Sequence, residues 1–111
     1  MRSDRAVKGL TQAPSRALLY ACGFTPDQVM SGMHIGIADS TSDIVPGHVG
    51  MGMLVQKVAL GIAAGGGAPM AFGIPAICDG VAMGHRGMFY SLPSRELIAD
   101  TVESMAEAHA F

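Results

Sequence analysis

The chain has 111 residues, half of them apolar and 14% charged, which predicts one folded domain with a modest core. This composition excludes a disordered chain, and the formal net charge of −2 excludes the basic surface that nucleic-acid binding requires. The two cysteines, Cys22 and Cys78, form no C-x-x-C pair, so a reducing compartment is favoured over a disulfide framework.

The first ten residues, "MRSDRAVKGL", are charged and lack the apolar core of a secretory signal. The longest apolar stretch, "MGMLVQKVALGIAAGGGAPM", is interrupted by Gln56 and Lys57 and is rich in glycine. It is therefore predicted to be too short and too polar to span a bilayer. Together these features predict a cytoplasmic protein that binds no membrane.

The first half of the chain carries two helix signals and one strand signal. Residues 1–14 are polar without periodicity and predict an arm or a loop. The segment "PSRALLYACG" predicts a short helix that stops at Gly23, and "TPDQVMSG" predicts another with Thr25 as its N-cap. The run "MHIGIAD", with β-branched Ile35 and Ile37, predicts a strand.

The second half alternates helix and strand signals. After the polar loop "STSDIVPGHVG", apolar spacings of three and four predict a helix over residues 49–64, which "GGGAP" ends. "MAFGIPAICD" predicts a second strand, and Pro75 suits its edge or its start. Beyond the loop "GVAMGHRGMFYSLP", a helix is predicted over residues 94–108, capped by Ser94. The predicted apolar stripes are Met51, Leu54, Val55, Val58 and Ile62 on the first helix, and Leu97, Ile98, Thr101, Val102 and Met105 on the second.

A strand, a helix and a second strand in this order predict a right-handed βαβ unit with parallel strands. A parallel sheet needs more than two strands and cover on both faces. The sequence therefore predicts an α/β fold, a parallel-sheet βαβ domain that is incomplete in this chain. The chain is expected to be a fragment or to need a partner for the rest of its sheet.

Two polar loops follow the two predicted strands. In open parallel sheets, ligands bind beyond the carboxyl ends of the strands. The loop around His48 and the loop from Asp79 to His85 are therefore expected at the same edge of the sheet. Asp79 among glycines predicts a site for a small anion or a metal. The alternative is that Asp79 caps a turn that the glycines permit.

Other site patterns in the sequence are weaker. His48 and His85 are candidate metal ligands, but they lack helical spacing and a third partner, so structural hydrogen bonding is the alternative for each. The G-x-G at residues 50–52 has no third glycine, which argues against a dinucleotide fingerprint. Neither a phosphate-binding loop nor a nucleophile with its base is predicted.

The block "DGVAMGHRGMFYSLPSRELIADTVESM" at residues 79–105 is similar to the signature of the dihydroxy-acid and sugar-acid dehydratase family. "VPGHV" at Val45–Val49 resembles the earlier loop of that family, and "MRSD" and "AHAF" at the two ends also fit. The resemblance covers essentially the whole chain. It implies that residues 1–111 form the N-terminal portion of the dehydratase N-terminal domain and end before its cluster-binding motif.

The resemblance implies a hydro-lyase that converts 2,3-dihydroxy carboxylic acids to 2-oxo acids in valine, leucine and isoleucine synthesis. Family members use Mg²⁺ and an iron–sulfur cluster, either [2Fe–2S] or [4Fe–4S]. A cluster iron polarises the departing 3-hydroxyl, and Mg²⁺ holds the carboxylate and stabilises the enolate. The match to the "DG-x-AMGH" motif makes Asp79 the first Mg²⁺ ligand, while His85 orders the loop or contacts substrate. The cluster ligands, the other metal ligands and the serine that takes the proton are expected beyond residue 111.

The resemblance also implies a homo-oligomer, a dimer in the first instance, that binds a small dihydroxy acid and no nucleic acid. Some positions depart from the family pattern: Gly47 replaces a cysteine of some members, Gly50 a usual histidine, and Cys78 a usual aspartate. Cys22 and Cys78 match no cluster ligand. Two alternatives stay open: a sugar-acid dehydratase acting on a gluconate or its phosphate, and a non-catalytic interaction module that keeps the fold.

Overall fold

Two parallel strands joined by a helix form the centre of the fold in the computed structural model, which describes residues 1–30 and 32–111. The elements in chain order are α1 (Asp4–Val7), α2 (Ala13–Ala21), α3 (Pro26–Met30), β1 (Met33–Asp39), α4 (Met51–Ala64), β2 (Gly67–Gly73), α5 (Asp79–Ala82) and α6 (Ser91–His109). Short 3-10 turns lie at Leu10–Gln12, Pro46–His48 and Arg86–Tyr90. The predicted α/β class and the parallel βαβ order are confirmed.

The two strands pair in register from Met33 opposite Gly67 to Asp39 opposite Gly73. Strand β1 has the predicted bounds. Strand β2 begins and ends earlier than the predicted run over residues 70–79, because its bounds follow its pairing with β1, which begins at Met33 and ends at Asp39. The segment that contains Pro75 therefore has no strand beside it and leaves the sheet.

Helix α3 begins with a reciprocal cap. The Thr25 hydroxyl accepts a hydrogen bond from the Gln28 backbone N–H at 3.3 Å, and the Gln28 side-chain oxygen accepts one from the Thr25 backbone N–H at 2.8 Å. Two donors at the start of the helix, the backbone N–H groups of Thr25 and Gln28, are thereby satisfied. The predicted Thr25 cap is confirmed; Ser31, which the same prediction covered, lies outside the described residues.

Residues 1–14 are more ordered than the sequence predicts. They contain α1 and a 3-10 turn, and Val7 is 2% exposed. The guanidinium of Arg16 donates to the carbonyl oxygens of Val7 and Gly9, both at 2.7 Å. The prediction of an arm or loop was wrong because a four-residue helix is too short to show a period, and tertiary contacts hold this one.

Helix α4 connects the two strands and packs against both of them. Its inner side carries Met51, Val55 and Ile62, which are half-buried as predicted. Leu54 and Val58 of the predicted stripe are 61% and 49% exposed, so the apolar surface of this helix is wider than the face that the strands cover.

The segment Pro46–Ala64 spans 19 residues with a mean hydropathy of 1.2, which is enough, by length and composition alone, to cross a membrane. The prediction that this region is too short and too polar was therefore wrong by that criterion. Core helices that meet the same criterion are mostly buried, whereas none of the residues in this segment is fully buried here. Helix α4 occupies the crossover position of a βαβ unit, and part of its apolar surface is left uncovered.

Helix α6 begins at Ser91, three residues before its predicted start. Ser94 is not its cap, because the Ser94 hydroxyl donates to the Ser91 carbonyl oxygen at 2.7 Å inside the first turn. Pro93 is tolerated there because the first helical turn needs no backbone N–H from it. The half-buried stripe is Ile98, Thr101, Val102 and Met105, whereas the predicted Leu97 is 62% exposed.

The chain leaves much apolar surface uncovered. Its radius of gyration is 16.8 Å, against about 13 Å for a compact domain of this length. Its accessible surface is 7347 Å², against about 5,800 Å² for a monomer of this mass. Since the sheet has only two strands among the described residues, these values agree with an incomplete α/β domain.

Candidate functional site

A cleft of about 490 Å³ lies beyond the carboxyl ends of the two strands. The loop after β1, the segment after β2 and the first turns of α6 line it. The Ile74 backbone N–H donates to the Asp39 carbonyl oxygen at 2.8 Å, which ties the two strand ends together. His48 and Asp79 both line this cleft, so the expectation that the two loops share one edge of the sheet is confirmed.

Asp79 enters the cleft as the first residue of the one-turn helix α5. The Ala82 backbone N–H donates to the Cys78 carbonyl oxygen at 3.0 Å and closes this turn. The Asp79 side chain does not cap it: its Oδ1 accepts a hydrogen bond from the Ser91 hydroxyl at 2.5 Å, twelve residues further along the chain. The turn-capping alternative is therefore wrong, and the carboxylate instead joins α5 to α6.

The second carboxylate oxygen of Asp79, Oδ2, has no hydrogen-bond partner among residues 1–30 and 32–111. Asp79 is exposed, whereas Ser91 is 8% exposed. One oxygen is thus held by a buried hydroxyl while the other is available. A hard carboxylate oxygen is the ligand type that Mg²⁺ prefers.

His48 also lines the cleft, and its ring is fixed by a backbone carbonyl. Its Nδ1 is 2.8 Å from the Ser40 carbonyl oxygen, which can only accept, so Nδ1 carries the hydrogen. In the neutral ring Nε2 is then an acceptor, and it has no hydrogen-bond partner among the residues that the structure describes. This is the arrangement in which an imidazole can accept a hydrogen bond or bind a metal.

His85 does not join Asp79 and His48. Its Nδ1 accepts the Gly87 backbone N–H at 3.0 Å, and its Nε2 lies 3.1 Å from the Val81 carbonyl oxygen. Both ring nitrogens are therefore used within the loop, and His85 lines a separate, mostly apolar cavity of about 310 Å³. Of the two predicted roles, the structure supports ordering of the loop.

Two glycines of this loop are required by its backbone and by the His85 ring. Gly84 has a φ of +82°, which favours glycine, and a Cβ on Gly87 would lie 2.4 Å from the His85 ring. A Cβ on Gly80 would meet only the Cys78 sulfur, at 3.7 Å. Packing against protein atoms therefore does not require glycine at position 80.

The loop that carries His48 is anchored by Asp39 at the end of β1. The Thr41 hydroxyl and the Thr41 backbone N–H both donate to Asp39 Oδ1, at 2.5 and 2.8 Å, and they hold the pKa of this carboxyl below its ordinary value. Asp39 thus stays ionised as a structural acceptor. It shapes the loop rather than the chemistry of the cleft.

Arg95 adds a positive charge to the cleft. It lies in the first turns of α6, and its guanidinium forms no ion pair or hydrogen bond with the residues that the structure describes. A guanidinium without a carboxylate partner, at the lining of a cleft, suits a ligand that carries a carboxylate.

The two cysteines do not form a joint site. Cys78 is half-buried and lines the cleft, whereas Cys22 is exposed and lines another cavity near His34. Among residues 1–30 and 32–111, no group of three or more His, Cys, Asp or Glu side chains is placed to hold a metal ion. The Asp79 carboxylate therefore belongs to no such group of potential ligands in this part of the chain.

Ser91 and Arg95 were missed as site residues by the sequence reasoning. The signal that could have found them is the "SLPSR" run: Pro93 fits the first turn of a helix as well as its start, which places Ser91 at the helix N-terminus. With the helix beginning at Ser91, both side chains fall in its first turns, next to the end of β2 in the fold.

A parallel βαβ unit with a cleft beyond its strand ends places the chain in the α/β class, in which ligands bind at this edge of the sheet. The family described as "Dihydroxy-acid/6-phosphogluconate dehydratase N-terminal" matches residues 33–111, and the chain belongs to this family. The resemblance stated from the sequence is thereby confirmed.

Similar curated proteins cover the whole chain. A dihydroxy-acid dehydratase of Thermodesulfovibrio yellowstonii is 57% identical over 111 residues, which is 100% of this chain and 20% of that protein. Proteins of the same name in Trichlorobacter lovleyi and Archaeoglobus fulgidus are 58% and 54% identical, over 98% and 100% of this chain and 20% of each relative. The chain thus spans about a fifth of the length of these relatives.

Proposed function

We propose that this chain is the N-terminal portion of a hydro-lyase that dehydrates 2,3-dihydroxy carboxylic acids to 2-oxo acids in branched-chain amino acid synthesis. The names of relatives that are 54–58% identical over nearly the whole chain support this substrate class. The single structural observation that carries the proposal is the cleft at the sheet edge, where Asp79 keeps one carboxylate oxygen without a partner among the described residues.

Asp79 fits a magnesium ion in this scheme. Mg²⁺ keeps several waters and binds one or two protein carboxylates plus oxygens of its substrate. A single carboxylate oxygen from this chain is therefore compatible with such a site. When bound, Mg²⁺ supplies positive charge that stabilises a developing enolate. The further metal ligands are proposed to come from outside residues 1–111.

An iron–sulfur cluster does not fit the residues of this chain. A cluster is held by several thiolates, and the two thiols here line different cavities. No step of the reaction is therefore assigned to a cluster on Cys22 or Cys78. If the complete protein holds a cluster, its ligands lie elsewhere.

The other cleft residues suit the binding of a hydroxy acid. The unpaired guanidinium of Arg95 binds the substrate carboxylate, and Nε2 of His48 accepts a hydrogen bond from a substrate hydroxyl. The His48 ring is fixed by its contact with the Ser40 carbonyl oxygen, and the backbone of Arg95 is fixed by α6. Such groups orient a substrate before any bond breaks.

An assay distinguishes the two candidate substrates, a branched-chain dihydroxy acid and a gluconate-type acid. The complete protein, loaded with iron and Mg²⁺ under anaerobic conditions, is supplied with 2,3-dihydroxyisovalerate or with 6-phosphogluconate, and the 2-oxo acid is measured. Turnover of the first substrate supports the proposal. Turnover of the second alone assigns a sugar-acid dehydratase, and turnover of neither favours a non-catalytic module.

We also propose a homo-oligomer in the cytoplasm that binds neither nucleic acid nor a membrane. The uncovered surface supports assembly, and the two free thiols suit a reducing compartment. The net charge of −2 disfavours nucleic acid as a partner. Sedimentation of the complete protein tests the assembly, and fractionation of cells tests the compartment.

A further inference from the structure

We propose that Ser91 is a positioning residue that orients the Asp79 carboxylate toward a divalent cation. The inference rests on the proposed function insofar as Asp79 is the cation ligand. The inference adds Ser91 to the proposed cation site and explains the orientation of the Asp79 carboxylate. The juxtaposition that carries it is the 2.5 Å hydrogen bond from Ser91 Oγ to Asp79 Oδ1.

An unsupported aspartate on a one-turn helix is a poor metal ligand, because its carboxylate rotates freely. Here the Ser91 hydroxyl donates to Oδ1 alone, and Oδ2 has no partner among residues 1–30 and 32–111. The hydrogen bond therefore selects one orientation of the carboxylate plane. It leaves the second oxygen for the cation and gives monodentate binding a defined direction.

Ser91 is itself held firmly. It is the first residue of the 19-residue helix α6 and is 8% exposed. Its backbone N–H donates to the Met88 carbonyl oxygen, and its carbonyl oxygen accepts the Ser94 hydroxyl at 2.7 Å. Position, burial and these two bonds leave the hydroxyl little freedom, so the rigidity of α6 passes to the carboxylate.

Groups that hydrogen-bond to a metal ligand fix its orientation, and their loss typically weakens metal binding by about 10- to 100-fold. We expect Ser91→Ala in the complete protein to raise the Kd for Mn²⁺ by about this factor. Mn²⁺ is the probe because it shares the oxygen preference of Mg²⁺, and its binding is measured by electron paramagnetic resonance without turnover.

Three further variants make the test specific. Ser91→Thr keeps the hydroxyl and should restore Mn²⁺ affinity relative to Ser91→Ala. Thr101→Ala is the matched control, because Thr101 donates its hydroxyl to the Leu97 carbonyl oxygen at 2.8 Å further along the same helix, and its Kd should equal that of the parent. In an Asp79→Asn background, Ser91→Ala should add nothing, since the neutral amide no longer supplies the charged oxygen that Ser91 orients toward the cation.

The proposal is overturned if Ser91→Ala binds Mn²⁺ as the parent does, if its effect is the same in the Asp79→Asn background, or if the parent binds no Mn²⁺. Should Ser91→Ala fail to fold, Ser91→Cys keeps the volume, weakens the donor and carries the same expectation. A parent that binds Mn²⁺ but dehydrates no acid refutes the proposed function and still leaves Ser91 to be decided by the binding series.

Discussion

Substitution of Asp79 by asparagine separates a catalytic role of this residue from a structural one. The change keeps the size of the side chain and an oxygen that can accept the Ser91 hydroxyl, but it removes the charge that a hard cation requires. If Asp79 ligates Mg²⁺, Asp79→Asn in the complete protein should weaken metal binding and suppress dehydration. The loss of one electrostatic contact to the developing charge typically lowers kcat by on the order of 10²–10³.

The effect on stability should be small for reasons visible in the structure. Asp79 is exposed, and its side chain has one hydrogen bond among the described residues, the 2.5 Å contact with Ser91. Replacing a charged acceptor by a neutral one weakens such a bond by about 1 kcal/mol. In a protein longer than 150 residues this shifts Tm by at most about 4 °C.

The two quantities are measured on the same variant: kcat at saturating substrate with Mg²⁺ supplied, and Tm by thermal unfolding. Asp100→Asn is the control, because Asp100 is an exposed acid on α6 outside the lining of the cleft, and it should leave both values unchanged. Normal kcat for Asp79→Asn at ordinary Mg²⁺ would remove Asp79 from the site. A large fall in Tm together with kcat would assign the residue to the fold.

Three further outcomes are expected. Gly32→Ala should destabilise the protein by about 1–3 kcal/mol in urea unfolding, because the added Cβ would lie 2.7 Å from the Gln28 carbonyl oxygen. Gly47→Ala is the control, because no atom lies within 4 Å of its added Cβ, and it should change stability by less than about 0.5 kcal/mol. Equal effects of the two substitutions would contradict this packing. Thr41→Val should raise the pKa of Asp39 toward 3.8 in an NMR titration of ¹³C-labelled aspartate, and an unmoved midpoint would refute the assigned cause. Since the Thr41 contacts lower the folded-state pKa of Asp39, their stabilising effect is present above pH 3.8 and is lost as the pH falls through that lowered pKa. The chain of residues 1–111 alone should self-associate in sedimentation velocity, because it exposes about 1,500 Å² more surface than a folded monomer of its mass. This excess is about twice the area that one partner buries in a standard protein–protein interface. A monodisperse monomer with a cooperative thermal transition would contradict this expectation.

Local chemistry made several elements predictable from the sequence. Strand β1 (Met33–Asp39) contains no proline and one glycine, Gly36, and its β-branched residues favour the extended conformation. The start of α3 follows from the Thr25 hydroxyl and the Gln28 amide three residues later. Where neighbouring residues determine the backbone conformation or satisfy its hydrogen bonds, the sequence alone predicts the bounds of the element.

Elements that depend on distant partners were not predictable in the same way. Strand β2 begins in a run of glycines with Pro69 inside it, a composition that disfavours strands, and pairing with β1 overrides that propensity. The contact between Ser91 and Asp79 spans twelve residues and depends on the true start of α6. No periodicity in the sequence indicates such a contact, so the sequence pointed to Asp79 as a candidate ligand but not to its hydrogen bond with Ser91.

The parallel register is what converts these separate segments into one site. Asp39 lies opposite Gly73, and the backbone bond from Ile74 to Asp39 extends this pairing by one residue. The loop that carries His48 and the segment that carries Asp79 therefore leave the sheet from the same level. A slip of one residue in the pairing would move one strand end by about 3.3 Å and reverse the faces of its side chains. Such a shift exceeds the tolerance of metal coordination, so the pairing of β1 with β2 is a requirement of the proposed chemistry and not only of the fold.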